Sequence, residues 1–145
     1  MIEDNILNKS NINLKAAEYI IKNTDCYCSS VHCSYYSAFQ YIKHFMYMVH
    51  KINYGEQEEL YREYCRTRKK NGSFMGSHEF LISKCKDLIG VTDQTKSLVF
   101  FTNICKLKNY RHISDYKNSL VGEHKAKDSL IQAKATIELI KNLPK

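Results

Sequence analysis

The segment from residue 31 to residue 49 places the strongest constraint on the fold, because its apolar residues recur at alternating intervals of four and three. The repeating positions are Val31, Tyr35, Ala38, Ile42, Phe45 and Val49. This is the period of a helix that packs along a seam. Tyrosine, phenylalanine and methionine fill the other faces as well, and a helix that is apolar nearly all round lies in the centre of a bundle or at a subunit interface. We expect this helix to be central to the core and a candidate dimer surface.

The rest of the chain also favours helices. One proline and five glycines in 145 residues leave few points at which a helix must stop. Beside the central helix, helices are predicted at residues 2–23, 56–66, 77–90, 92–116 and 119–142. Ser77 is predicted as an N-cap, Gly90 as a C-cap, and Thr92 or Asp93 as the cap of the next helix. We therefore predict one all-α domain over residues 1–145, an up-and-down bundle of about five helices.

Inward-facing residues are clearest in the last two helices. In the first of these, the predicted inner face is Leu98, Phe101, Ile104, Leu107 or Lys108, and Arg111. In the second it is Ala126, Leu130, Ala133, Ile137 and Ile140. Because Arg111 continues an apolar line, we expect its side chain to be at least partly buried, and a buried guanidinium needs a carboxylate partner.

Composition limits the compartments and the partners. No stretch approaches the ~18 consecutive apolar residues of a transmembrane helix. The first residues lack a basic segment followed by an apolar run, so no signal peptide is predicted. We expect a cytoplasmic protein without membrane contact, whose six cysteines stay reduced. The net charge of +7 favours an acidic partner, such as RNA, a nucleotide or an acidic protein.

One cluster, Cys26, Cys28, His32 and Cys33, has the residue types of a metal site. These side chains are four potential zinc ligands. The paired Cys-x-x-Cys spacing is missing, however, and adjacent His32 and Cys33 diverge around a helix. Reduced thiols in a cysteine-rich protein are the favoured interpretation, and neither a metal nor another cofactor is predicted.

The stretch KNYRHISDYKN, residues 108–118, brings several reactive side-chain types together. On a helix, Arg111 and Asp115 are neighbours four residues apart, and so are His112 and Tyr116. One interpretation is an ion pair that holds this helix against its neighbours. The other is a guanidinium that binds phosphate, with His112 or Tyr116 close by for proton transfer or stacking.

Three segments in this order, SVHCSYYSAFQYIKHF, SHEFL and RHISDYKN, precede a long final helix. In this arrangement the chain resembles the HEPN superfamily, and in particular the branch with an Arg and an Asp-Tyr pair before the last helix. The resemblance implies a small α-helical domain that dimerises and brings two copies of the motif to a shared cleft. It also implies toxins or defence proteins that cleave RNA without a metal, often encoded beside a minimal nucleotidyltransferase.

The nucleases of this superfamily carry an arginine, four to six intervening residues and then a histidine. Here the corresponding positions, 116–118, are Tyr, Lys and Asn. Arg111 therefore carries over as the phosphate-contacting residue, with Asp115 as its orienting partner and Tyr116 and His112 as auxiliary groups. Two functions stay open: a metal-independent endoribonuclease of a toxin–antitoxin or defence system, and a non-catalytic module that binds a partner such as a minimal nucleotidyltransferase.

One stripe of the second helix carries His32, Tyr36, Phe39 and Lys43. The resemblance implies that this helix faces the motif helix, so His32 and Tyr36 can line the cleft and meet Arg111 or the substrate. Packing alone is the favoured alternative for both residues.

Five further basic residues are candidates for contact with RNA phosphates. Such contacts would make RNA binding strongly salt-dependent. A solvated loop is an equally good interpretation of the basic run, because such runs are common on protein surfaces. The candidates are Arg66, Arg68, Lys69, Lys70 and Lys108.

Overall fold

The computed structural model describes residues 4–68, 74–117 and 119–144, and within these ranges it contains helices and no strand. The helices are α1 (Asn5–Asn23), α2 (Tyr27–Met48), α3 (Tyr54–Thr67), α4 (Ser77–Thr92), α5 (Gln94–Tyr116) and α6 (Glu123–Lys141). The predicted all-α bundle is confirmed. The six segments predicted as helices correspond to the six helices of the described ranges, one more than the approximate total of five. None of these helices combines the length and the apolar composition needed to cross a membrane.

Helix α2 is the centre of the bundle and packs against each of the other helices. Its predicted seam is buried from Val31 to Phe45. Val49, the last position of the predicted seam, lies just beyond the end of the helix and is 38% exposed. Burial of the seam removes the largest apolar surface of the sequence from water, which is the main source of stability for the fold.

Small residues hold α1 close against α2. The Ser10 hydroxyl donates to the Ser37 carbonyl at 2.7 Å, and the Ser37 hydroxyl donates back to the Ser10 carbonyl at 2.8 Å. One further pair forms along the same contact, where the Ser30 hydroxyl donates to the Ala17 carbonyl at 3.2 Å. Serine side chains are short enough to let the two backbones approach. The buried hydroxyls of Ser10, Ser30 and Ser37 each have a partner, whereas the buried Ser34 hydroxyl has none among the described residues.

The caps around α4 differ from the prediction. Gly76, not Ser77, is the N-cap, and Ser77 is the first helical residue. Gly90 does not end the helix, which continues to Thr92. Gly90 faces the start of α5, where a Cβ would lie at an ordinary contact distance of 3.4 Å from the Ser97 hydroxyl oxygen. Asp93 is confirmed as the cap of α5, where its side chain accepts the Lys96 N–H at 2.9 Å.

The inner face of α5 was predicted one position out of register at its start. Leu98 is 60% exposed, whereas Ser97 and Phe100 are buried. The predicted inner face from Leu98 and the observed inner face from Ser97 both continue through Ile104 and Leu107. On a helix of 3.6 residues per turn, steps of three and four can follow in either order, so both faces fit the same apolar pattern. The small Ser97 is inward because its hydroxyl donates to the Lys86 carbonyl of α4 at 2.8 Å. In α6, four of the five predicted inner residues are buried and Leu130 is partly exposed.

Candidate functional site

The site forms where the start of α2 lies beside the end of α5. The Ser114 hydroxyl donates to the Cys28 carbonyl at 3.1 Å and ties the two helices together. A small apolar cluster of Val31, Val121 and Ala126 lies at the same end and attaches the start of α6. These contacts bring side chains from the first turns of α2 next to the motif that ends α5.

Arg111 is the best-connected side chain of this end, and only 16% of it is exposed. Its Nε donates to Asp115 Oδ2 at 3.1 Å, as the spacing of four predicts. Its Nη2 donates to the hydroxyls of Tyr36 and Tyr116 at 3.4 and 3.3 Å. The guanidinium carbon also lies 5.2 to 5.5 Å from the ring centroids of Tyr35, Tyr36 and Tyr116, within range of cation–π attraction. The partial burial expected for Arg111 and its pairing with Asp115 are therefore both present.

Asp115 also connects Arg111 to a histidine from another helix. The same oxygen, Oδ2, lies 3.2 Å from His32 Nδ1, and the two side chains are 21% and 48% exposed. A carboxylate only accepts hydrogen bonds, so the proton of a neutral His32 lies on Nδ1 and the lone pair lies on Nε2. The His32 ring also lies 4.6 Å from the Tyr36 ring. This arrangement fixes the imidazole and leaves Nε2 available for proton transfer.

An open groove runs beside this cluster. Its volume is about 250 Å³, and its walls are Cys28, Ser29, His32, Cys33 and Asp115. Within the described ranges, no group of three or more histidines, cysteines and acidic residues is arranged to hold a metal ion. Burial raises the pKa of the Cys33 thiol in this groove.

His112 and Lys108 lie on α5 but outside the hydrogen-bonded cluster. The exposed His112 ring lies 5.3 Å from the Tyr116 ring, in agreement with their spacing of four. Lys108 Nζ lies 3.6 Å from Glu79 Oε2. Of the predicted site residues, the structure therefore brings together Arg111, Asp115, Tyr116, Tyr36 and His32.

The basic run lies on another element, α3. Arg66 Nη2 lies 2.7 and 2.6 Å from carboxylate oxygens of two glutamates on the same helix. The Arg68 guanidinium lies 5.8 Å from the Tyr64 ring centroid. The predictions for Lys69 and Lys70 concern residues outside the described ranges. Among the described residues, α3 contacts α2 and α4 but not α5, so this basic run is separate from the Arg111 cluster.

One side chain beside the cluster was missed by the sequence reasoning. His78, the second residue of α4, has its Nδ1 2.9 Å from the Tyr35 hydroxyl. Its ring stacks on Phe39 at 3.9 Å and 15° and meets the Tyr36 ring edge-on at 5.6 Å. The segment SHEFL, which contains His78, contributed to the family resemblance, but a lone histidine at a helix start carries no signal of such contacts.

His78 is neutral at physiological pH. Burial lowers its pKa, and the positive charges of Arg111, Lys43 and Lys108 lower it further, to about 4. Burial also raises the pKa of its hydrogen-bond partner Tyr35, against the opposing effect of Arg111. The hydrogen-bonded pair of Tyr35 and His78 is therefore uncharged, and the positive charges of Arg111, Lys43 and Lys108 act on it.

Comparison with protein-family models, with curated proteins and with solved structures finds no match for this chain. The fold and the site together define an all-α bundle with an Arg–Asp–His–Tyr cluster at the contact between its central helix and the end of α5.

Proposed function

We propose that the protein is a HEPN-like, metal-independent endoribonuclease in which Arg111 binds the scissile phosphate and His32 transfers the proton. The observation that supports this proposal is the shared oxygen of Asp115, which accepts both Arg111 Nε and His32 Nδ1. A phosphate-binding group and a proton-transfer group are thereby held at fixed positions by one carboxylate. His32 on α2 takes the role for which the motif helix offers no histidine at the usual spacing.

The proposed reaction uses the ribose as the nucleophile. His32 Nε2 takes the proton of the 2′-hydroxyl, and this oxygen attacks the adjacent phosphorus. The P–O5′ bond breaks and leaves a 2′,3′-cyclic phosphate on one fragment and a 5′-hydroxyl on the other. Arg111 stabilises the negative charge that develops on the phosphate oxygens.

Tyr116 is the proposed donor for the leaving oxygen. Its hydroxyl accepts a hydrogen bond from Arg111 Nη2, so its own proton remains free to be donated. The side chain is 64% exposed, which leaves room for a substrate strand. Transfer of a proton from His32 to Tyr116 through water restores both groups after each turnover.

The competing function is a non-catalytic module that binds a partner protein such as a minimal nucleotidyltransferase. The high connectivity of Arg111, which has a carboxylate, two hydroxyls and three rings around it, favours this alternative. With these partners, the guanidinium and Asp115 can form an ion pair whose role is only structural. In this case the bundle needs Arg111 for folding and the protein has no cleavage activity.

Cleavage of a labelled single-stranded RNA in the presence of EDTA separates the two functions. We expect His32→Gln to reduce the rate by about 100-fold or more, since loss of a general base typically costs 10²–10⁴-fold. His50→Gln is the matched control and should retain the wild-type rate, because His50 lies beyond the far end of α2, next to Phe45. Circular dichroism verifies that each variant is folded. If wild type does not cleave and Arg111→Ala does not fold, the structural alternative is correct.

Dimerisation and the cellular setting belong to the same proposal. A homodimer would place two Arg111 clusters at a shared cleft, as the resemblance implies. Sedimentation equilibrium measures the assembly state, and growth arrest on expression of wild type but not of His32→Gln would support a toxin role in the cytoplasm.

A further inference from the structure

A second cavity lies on the other side of Tyr36 from the groove at His32. Its volume is about 320 Å³, within the range of roughly 300–1,000 Å³ that is usual for ligand sites. It lies between α2, α3 and the start of α4. The lining residues on which the argument depends are Phe39, Lys43, Gln57, Tyr61 and His78.

The stripe on α2 joins this cavity to the Arg111 cluster. His32 and Tyr36 contact the cluster, whereas Phe39 and Lys43 line the cavity. At 1.5 Å per residue, His32 and Phe39 are about 10 Å apart along the helix axis. Tyr36 contacts both sites, since its hydroxyl accepts from Arg111 and its ring meets the His78 ring. A short single strand can therefore reach both sites along one face of α2.

The cavity is aromatic at its base. Phe39 is 5% exposed and carries the stacked His78 ring. Tyr61 adds a third ring and is held by its hydroxyl, which donates to the Met75 carbonyl at 3.2 Å. Flat rings in a cavity suit a nucleobase, because every base has a face that stacks on aromatic side chains.

Polar groups of the cavity match a base and a phosphate. Gln57 is fully buried, and its Oε1 has no hydrogen-bond donor among the described residues. The amino group of a base is such a donor. Lys43 lies 5.8 Å from the Tyr54 ring centroid and forms no ion pair within the described ranges, so its charge is available to a phosphate. By contrast, Arg62 is already paired with two glutamates of α3.

We propose that this cavity is a nucleotide subsite, which binds a base of single-stranded RNA next to the phosphate held by Arg111. The base stacks against Tyr61 beside the stacked pair of Phe39 and His78, and Lys43 contacts its phosphate. The inference rests on the proposed ribonuclease function for its substrate class. It adds a binding position at which one nucleotide beside the cleavage point is recognised.

The test is a titration of the protein with 5′-AMP and 5′-UMP, followed by NMR of the His78 imidazole and by calorimetry. We expect the His78 signals to shift with at least one nucleotide. Lys43→Met should weaken binding about tenfold, the effect of losing one charge-assisted hydrogen bond. Lys86→Met is the matched control, because Lys86 also lies over an aromatic ring, that of Phe101, but does not line the cavity.

Three outcomes would overturn the subsite. The first is an unchanged His78 spectrum at millimolar nucleotide, even if RNA is cleaved. The second is an equal response to inorganic phosphate, and the third is an equal loss of affinity in both lysine variants, either of which would indicate general charge attraction. Nucleotide binding at His78 in a protein that does not cleave RNA would support the subsite and reject the ribonuclease, so the two failures are distinguishable.

Discussion

At the scale of single residues, Asp115 is the group on which the site depends, because one of its oxygens accepts from both Arg111 and His32. The two contacts should differ in strength. Arg111 is mostly buried, whereas His32 is half exposed and its contact is weakened by solvent. Double-mutant cycles on chemical denaturation should give a coupling of about 1 kcal/mol for Arg111 with Asp115 and about half as much or less for His32 with Asp115. A stronger coupling for His32 would contradict this ranking of the two contacts.

His78 should contribute the largest part of the pH dependence of stability below pH 6.5, and His50, whose pKa burial also lowers, acts in the same direction. The pKa of His78 is lowered from 6.5 to about 4, so between these values the unfolded chain binds a proton that the folded chain does not. The free energy of unfolding should therefore fall as the pH falls from 6.5 towards 4, by about 1–2 kcal/mol after allowance for partial exposure. Denaturation at several pH values measures this. His78→Phe keeps a ring on Phe39 and should flatten the slope, and an unaltered slope would assign the effect to another group.

At the scale of elements, α3 is the helix with the weakest attachment. Gln57 is its only fully buried residue among those described. A capping box fixes its start: the Glu56 N–H donates to Asn53 Oδ1 at 2.9 Å, and the Asn53 N–H donates to Glu56 Oε2 at 2.7 Å. Asn53→Ala should cost about 1 kcal/mol and speed hydrogen exchange within α3 alone. The control Asp93→Ala removes the cap of the well-buried α5 and should lower the global stability instead.

Periodicity explains which elements and contacts could be predicted. Spacing within one helix is set by helical geometry, so the α2 seam and the neighbouring positions of Arg111 and Asp115 follow from the sequence. The first turn of α5 does not, because the choice between Leu98 and Ser97 depends on how closely α4 approaches. Gly90 lies at this contact inside α4, whereas the sequence pattern presents it as a helix end.

At the scale of the whole molecule, the site consists of contacts between residues far apart in the chain. His32 lies 83 positions from Asp115, and Tyr35 lies 43 positions from His78. Such pairs depend on the angle and the register at which helices pack, and many combinations satisfy the same apolar pattern. The sequence could therefore identify Arg111 and the stripe on α2, but it could not show that Asp115 joins them or that His78 lies beside them.

The net charge of +7 is distributed so that the arginines of α3 are neutralised by its glutamates, while Lys43 and Arg111 lie along the proposed strand path. If Arg111, Lys43 and Lys108 each contact a phosphate, the logarithm of the RNA affinity should fall with the logarithm of the salt concentration with a slope of about −2, at about −0.7 per contact. Lys43→Met should reduce the magnitude of this slope by about 0.7. Arg66→Gln should leave it unchanged, because Arg66 does not line the cavity and lies on α3, which does not contact α5 among the described residues. Fluorescence anisotropy with a short RNA measures both slopes, and a larger change for Arg66→Gln would place the strand on α3 instead.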